Sequence, residues 1–125
     1  MDKLKFMKEQ MNILAIPYEF MQWSSETIPK TYWVGECSET PTNAEDGYEE
    51  STFILTGTTR GTWSELEEVK DKIKKHFPSV GGLRSATDSG SITVFFSNSF
   101  PVPTGEADLK RIQINLTIKE WKGLN

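Results

Sequence analysis

Few side chains in this chain could do chemistry, and their scarcity narrows the options at once. Its 125 residues include one histidine, His76, and one cysteine, Cys37. A zinc site built on Cys and His is therefore excluded by count unless carboxylates supply the other ligands. A thiol nucleophile would have to be Cys37 with His76 as its base. Cys37 stands at a strand end with no motif that names a base. His76 closes a lysine-rich helix end after Lys72, Lys74 and Lys75, where basic residues complement the helix dipole. Residues 37–50 form an acidic stretch with Glu39, Glu45, Asp46, Glu49 and Glu50. Tested as an EF-hand with Gly47 at loop position six, it puts Thr42, Ala44 and Phe53 at positions one, three and twelve, which cannot hold calcium. It reads instead as a solvated or partner-facing charge run. The glycine pairs Gly57/Gly61 and Gly81/Gly82 make neither a Walker loop nor a dinucleotide fingerprint. Thr58-Thr59-Arg60-Gly61, opening a helix, could cradle an anion through backbone N–H groups. No catalytic constellation emerges, so the expectation is a protein that is not an enzyme and holds no cofactor or metal.

The elements that must position these residues are organised around one stretch near the end. In Lys110–Lys119, Ile112, Ile114, Leu116 and Ile118 alternate with Arg111, Gln113, Asn115, Thr117 and Lys119. Successive strand side chains point to opposite faces, so this is an apolar face backed by a polar one. An antiparallel sheet with one face on a core follows. What the polar face meets is the functional question.

Before it, Leu4, Met7, Met11 and Leu14, with Phe6 and Ile13 alongside, predict an amphipathic helix ended by Pro17. Residues 18–23 read as a first strand and 31–36 as a second, hairpin-paired with it. Gly35 inside the second marks a bulge or a close backbone approach. The run at 51–58 is a third strand, its near-continuous apolar residues suggesting burial on both sides. Thr62 with Glu65 makes a capping box for a helix whose buried stripe is Leu66, Val69, Ile73 and Phe77 and which Pro78 stops. Glu68–Lys72 and Asp71–Lys75 are its i,i+4 pairs. Residues 79–91 read as an irregular connection and 92–97 as a fourth strand. Residues 98–109 form a loop in which Pro101 and Pro103 hold Phe100 and Val102 in an extended display. The sum is a single α+β domain over 1–125. It is a two-layer sandwich of a mostly antiparallel five-stranded sheet with two helices on one face, in the order α-β-β-β-α-β-β.

Composition sets outer bounds. The formal net charge is −4, which speaks against a dedicated nucleic-acid binder. Residues 1–62 hold ten of the 18 acidic side chains and five of the 14 basic ones, so the acidic excess lies in the first half. A lone cysteine and no secretory signal lead to the expectation of synthesis in a reducing compartment. No apolar run approaches the ~20 residues of a membrane span. Trp23, Trp33, Trp63 and Trp121 are assigned to the core or its edge, with any exposed one pointing to a protein interface.

Four segments resemble a known family: Ile16-Pro-Tyr-Glu-Phe, Phe53-Ile-Leu-Thr-Gly-Thr-Thr-Arg-Gly, Phe100-Pro-Val-Pro-Thr-Gly and Leu109-Lys-Arg-Ile-Gln-Ile-Asn-Leu-Thr-Ile-Lys-Glu-Trp. They are similar to small structural proteins from the head–tail joining and tail genes of tailed phages and prophages of Gram-positive bacteria. The element order looks like that of tail terminator (tail completion) proteins. The resemblance implies a homo-oligomer, a hexameric ring that caps the tail tube protein and presents a surface to the head connector protein. It implies assembly in the host cytoplasm and residence in the virion tail, with DNA passing through the ring without sequence-specific contacts. Rings use heterologous contacts. The candidate interface residues are accordingly acidic Glu39, Glu45, Asp46, Glu49 and Glu50, facing basic Arg111, Lys119 or Lys74 of a neighbour, with Phe100 and Val102 displayed beside them. Two alternatives compete with this reading. One is a cytoplasmic small-molecule-binding module with an aromatic pocket lined by Tyr18, Phe20, Trp33 and Phe95. The other is a hydrolase around Cys37 and His76.

Overall fold

A computed structural model describes residues 2–40, 47–87 and 90–122, apart from the side chains of Thr40, Thr87 and Lys122. Its elements run α1 (Lys3–Ile13), β1 (Tyr18–Phe20), β2 (Thr31–Thr40), β3 (Tyr48–Thr59), α2 (Trp63–His76), β4 (Leu83–Thr87), β5 (Gly90–Val102) and β6 (Lys110–Lys122). The six strands form one mixed, curled sheet in the order β1-β2-β3-β6-β5-β4. The fold is α+β with two helices, as expected, but the sheet has six strands rather than five.

β6 does what its alternation predicts. Ile112, Ile114, Leu116 and Ile118 are buried, and β6 sits between β3 and β5, antiparallel to both. The buried residues of β3 (Phe53, Leu55) and β5 (Ile92, Val94, Phe96) share that face by register. Phe6, Met7 and Met11 of α1 and Leu66 and Ile73 of α2, with Phe77 at its C-cap, belong to the same core cluster, so both helices cover one side of the sheet. His76 Nε2 lies 2.7 Å from Gln10 Oε1, joining the end of α2 to α1.

The amphipathic stripes hold with two exceptions. Leu4 and Ile13, placed in or beside the α1 stripe, are solvent-exposed, Ile13 by 67%. The true α1 stripe runs through Phe6, Met7 and Met11, with Leu14 packed at its edge. Asp2 caps the helix by accepting the Leu4 and Lys5 N–H groups. On α2 the stripe is as predicted, but the ion pair that forms among the described residues is Glu67–Lys70, not Glu68–Lys72 or Asp71–Lys75.

Four strand assignments need correction. β1 is parallel to β2, Tyr18 opposite Trp33, rather than its hairpin partner. Parallel pairing requires a crossover. Residues 21–30 supply it, and Met21 at φ 71 breaks the strand after three residues. β4 lies in what the Gly/Ser content suggested was an irregular connection. It pairs with β5 from Leu83–Val94 to Thr87–Gly90, and Gly82 at φ +67 lets the chain enter, since a Cβ there would meet the Val94 carbonyl at 2.7 Å. β5 continues through residues 98–102, so Phe100 and Val102 are strand residues rather than loop residues; a bulge between Phe96 and Asn98 resets the register. β3 alternates instead of being buried on both sides, leaving Ile54 half-exposed opposite the core face.

Gly35 meets its expectation of a close approach. Its missing Cβ leaves room for the Tyr18 and Phe53 rings, both 2.6 Å from where that carbon would be. Gly57 does the same for Trp33, whose ring lies 2.5 Å from the equivalent point and is fully buried.

Candidate functional site

Because both helices lie on one side, the other face of the sheet carries no helix. Strand alternation places Tyr32, Val34, Glu36 and Ser38 of β2 there, with Glu50, Thr52, Ile54, Thr56 and Thr58 of β3 beside them. Arg111, Gln113, Asn115, Thr117 and Lys119 of β6 continue the face, as do Phe95, Asn98, Phe100 and Val102 of β5. At its centre runs a ladder of amides. Gln113 Nε2 donates to Asn115 Oδ1 at 3.1 Å, and Asn115 Nδ2 donates to Asn98 Oδ1 at 2.8 Å. The hydroxyls of Ser97 and Thr117 bond beside it.

One corner of this face is raised. The crossover at residues 21–30 folds over β2, with Trp23 packed on Tyr32 at a 5.6 Å ring separation. Glu19 holds the crossover from below, accepting from Ser24 Oγ at 2.6 Å and Ser25 Oγ at 3.2 Å. Those hydrogen bonds, Ser24 first, keep its carboxyl below the usual range. Between the crossover and the sheet lies a hollow of about 370 Å³, bounded by Trp23, Ile28, Tyr32, Val34 and Arg111.

The predicted interface residues divide in two. Arg111, Lys119, Glu50, Phe100 and Val102 come together on the helix-free face. Arg111 Nε donates to Thr58 Oγ1 at 3.2 Å. Lys119 Nζ sits 5.0 Å from the Tyr48 ring and 5.7 Å from the Phe95 ring, so it is already held by two aromatic faces. Phe100 is 42% exposed and Val102 half-buried. Glu39, by contrast, lies on the helix side, where Lys3 of α1 reaches both it and Glu120 (3.4 Å). That pairing holds the Glu39 carboxyl low and makes it an internal tie between helix and sheet. Lys74 is also on the helix side, over the Phe96 ring at 5.4 Å. Glu49 is exposed, next to Glu50 at the start of β3. Glu45 and Asp46 lie outside the described residues.

Cys37 and His76, the residues of the hydrolase alternative, are each engaged by other groups. Burial pushes the Cys37 thiol up, although Lys3 opposes the shift. A thiol kept protonated is a poor nucleophile. Desolvation lowers the pKa of His76, whose Nε2 is engaged by Gln10 and whose ring meets Phe77 edge-on at 4.8 Å. With its pKa lowered, His76 offers the helix dipole less charge than Lys74 and Lys75 of the same turn. The anion cradle at Thr58–Gly61 is filled from within: Glu65 Oε2 accepts the Thr62 N–H at 3.0 Å and the Thr59 hydroxyl at 3.2 Å. A Cβ on Gly61 would lie 1.7 Å from that oxygen. Lys30 Nζ bonds the other carboxylate oxygen at 3.1 Å.

The four aromatic residues of the small-molecule reading do not share one pocket, although Tyr18 and Phe20 line a hollow of about 510 Å³ with Leu4 of α1. Tyr18 and Trp33 point to the core side, Phe95 to the helix-free face, and Phe20 is exposed on the edge strand. Burial raises Tyr18 to about 12. Among the tryptophans only Trp33 is in the core, while Trp63 is 44% exposed. Among the described residues no group of three or more His, Cys, Asp or Glu could hold a metal, and no helix is long and apolar enough to cross a membrane. No protein-family model matches the chain, and no curated protein matches it.

Proposed function

We propose that this protein is a structural component of a tailed-phage virion, of the tail-terminator kind. In this reading it forms a ring of about six chains that caps the tail tube and meets the head connector. The observation that carries the reading is where the family-like segments lie. Phe53–Gly61 is the end of β3 and its turn toward α2, Phe100–Gly105 is the end of β5, and Leu109–Trp121 is β6. Phe53–Gly61 is far in sequence from the other two, which follow one another, yet all three sit on neighbouring strands, and Ile16–Phe20 leads into the edge strand β1. A one-sided sheet supports the same reading. It leaves a whole face for a partner and two unlike edges, β1 and β4, for head-to-tail contact. The subunits assemble in the host cytoplasm and end in the virion tail, with DNA passing through the ring without sequence-specific contacts.

Light scattering on the purified protein, alone and with polymerising tail-tube subunits, tests this. The expected result is a species near six chains, formed alone or on the tube, together with arrested tube growth. A protein that neither binds the tube nor changes tube length would overturn the reading.

A further inference from the structure

The charges on the helix-free face are sorted by strand. On β1, β2 and β3 its charged side chains are Glu19, Glu36 and Glu50, with no base among the described side chains. On β6, β5 and β4 they are Arg111, Lys119 and Arg84, with no acid. The division runs between β3 and β6, the two middle strands of the six. A face acidic on one half and basic on the other is complementary to itself.

We propose that the helix-free faces of two copies of this chain pack against each other about a two-fold axis that lies between the sheets, parallel to β3 and β6. That operation sets β3 of one copy over β6 of the other and β2 over β5, so the acidic half faces the basic half, and Glu50, level with Lys119 in the register, comes over Lys119 of the other copy. Register supplies a second, independent match. Val34, Thr56, Gln113 and Phe100 are successive cross-strand partners in one row. The axis therefore carries the exposed Phe100 of one copy over Val34 of the other, at the 370 Å³ hollow walled by Trp23 and Ile28. The same knob and hollow meet twice, as an isologous contact requires. Near the axis the amide ladder of each copy has spare donors and acceptors for the other. Four long strands at ~4.8 Å spacing and ~3.3 Å per residue give a face of roughly 700 Å². That is close to the ~800 Å² per partner of a standard interface. Aligned sheets packed ~10 Å apart are a common arrangement. This pairing goes beyond the ring and does not depend on it, because ring contacts would use the sheet edges.

Two charge-reversed variants test the proposal by sedimentation and light scattering at low salt: Glu50→Lys and Lys119→Glu. Each alone is expected to have half the mass of the wild-type particle, and an equimolar mixture to restore it, since the reversed halves then complement each other. Circular dichroism checks that both remain folded. Phe100→Ala, at an exposed position, should weaken the pairing on the order of ten-fold or more while leaving the fold intact. A wild-type chain that is monomeric at every concentration overturns the pairing, as do variants whose mass equals that of the wild type. A six-chain species that persists unchanged in both variants overturns it too, while leaving the ring standing. Loss of the ring with retained, swap-sensitive dimers does the reverse.

Discussion

His76 shows how one side chain's surroundings override its type. At a helix C-terminus a charged imidazole is favoured by the dipole. Here desolvation dominates and lowers the pKa, leaving a neutral ring that bonds Gln10. The unfolded chain then binds a proton more readily than the folded one, so stability rises with pH across this transition. The contribution is fully present above the ordinary histidine value of ~6.5 and is lost as pH falls through the lowered folded value. Urea midpoints of the wild type and His76→Gln, compared from about pH 8 down to about pH 5.5, should converge as pH falls. Parallel curves would mean that burial does not perturb the ring. The lysines around His76 made it read as a dipole-stabilising residue, but nothing local reveals Gln10 sixty-six residues away or the desolvation that lowers its pKa. Gly57 is similar. Its sequence context suggested only a failed phosphate loop, whereas its purpose is to floor the Trp33 ring, a contact between strands.

Thr59 is where three elements are joined. Fully buried at the end of β3, its hydroxyl bonds Thr31 Oγ1 of β2 at 2.8 Å, the Gly61 N–H at 2.9 Å and Glu65 of α2. Thr59→Val keeps the shape and removes the hydroxyl, stranding the Gly61 donor and weakening the cap on α2. A loss of about 1–3 kcal/mol is expected in chemical denaturation, the scale of a buried polar group left unpartnered. A loss below about 0.5 kcal/mol would mean that water replaces the hydroxyl. The capping box itself was legible because Thr62 and Glu65 are three residues apart, whereas Thr31 and Thr59 meet only through strand pairing. The same distinction explains the strands. β6 was readable from strict alternation, but β4, with Arg84-Ser85-Ala86, lacks apolar periodicity and is a strand because β5 offers it an edge. β1 was readable as extended; its parallel direction depends on where the 21–30 crossover lands.

The two faces of the sheet have opposite duties, and β3 carries both in adjacent residues. Leu55 is fully buried against the helices, while Ile54 stands half-exposed on the helix-free face, one strand from the amide ladder. An aliphatic truncation should therefore be read by different measurements at the two positions. Leu55→Ala leaves a cavity in the core and should cost about 2–5 kcal/mol in urea unfolding of the dilute protein. Ile54→Ala removes a side chain that the monomer only half covers, so its cost in the same experiment should stay within about 1 kcal/mol. In sedimentation at high concentration the order should reverse. Ile54→Ala should shift the population toward monomer, because its side chain lies beside the proposed axis, whereas any Leu55→Ala protein that remains folded should associate as the wild type does. Equal unfolding costs at the two positions would mean that the helix-free face is part of the monomer's own stability. Equal association would mean that the face meets nothing in solution. The contrast tests sidedness, which the alternation of apolar and polar residues in β6 already implied. It does so on a strand whose sequence, Phe53-Ile54-Leu55, hides the alternation: Ile54 is as apolar as its neighbours, and only the strand pairing tells which of the three faces away from the helices.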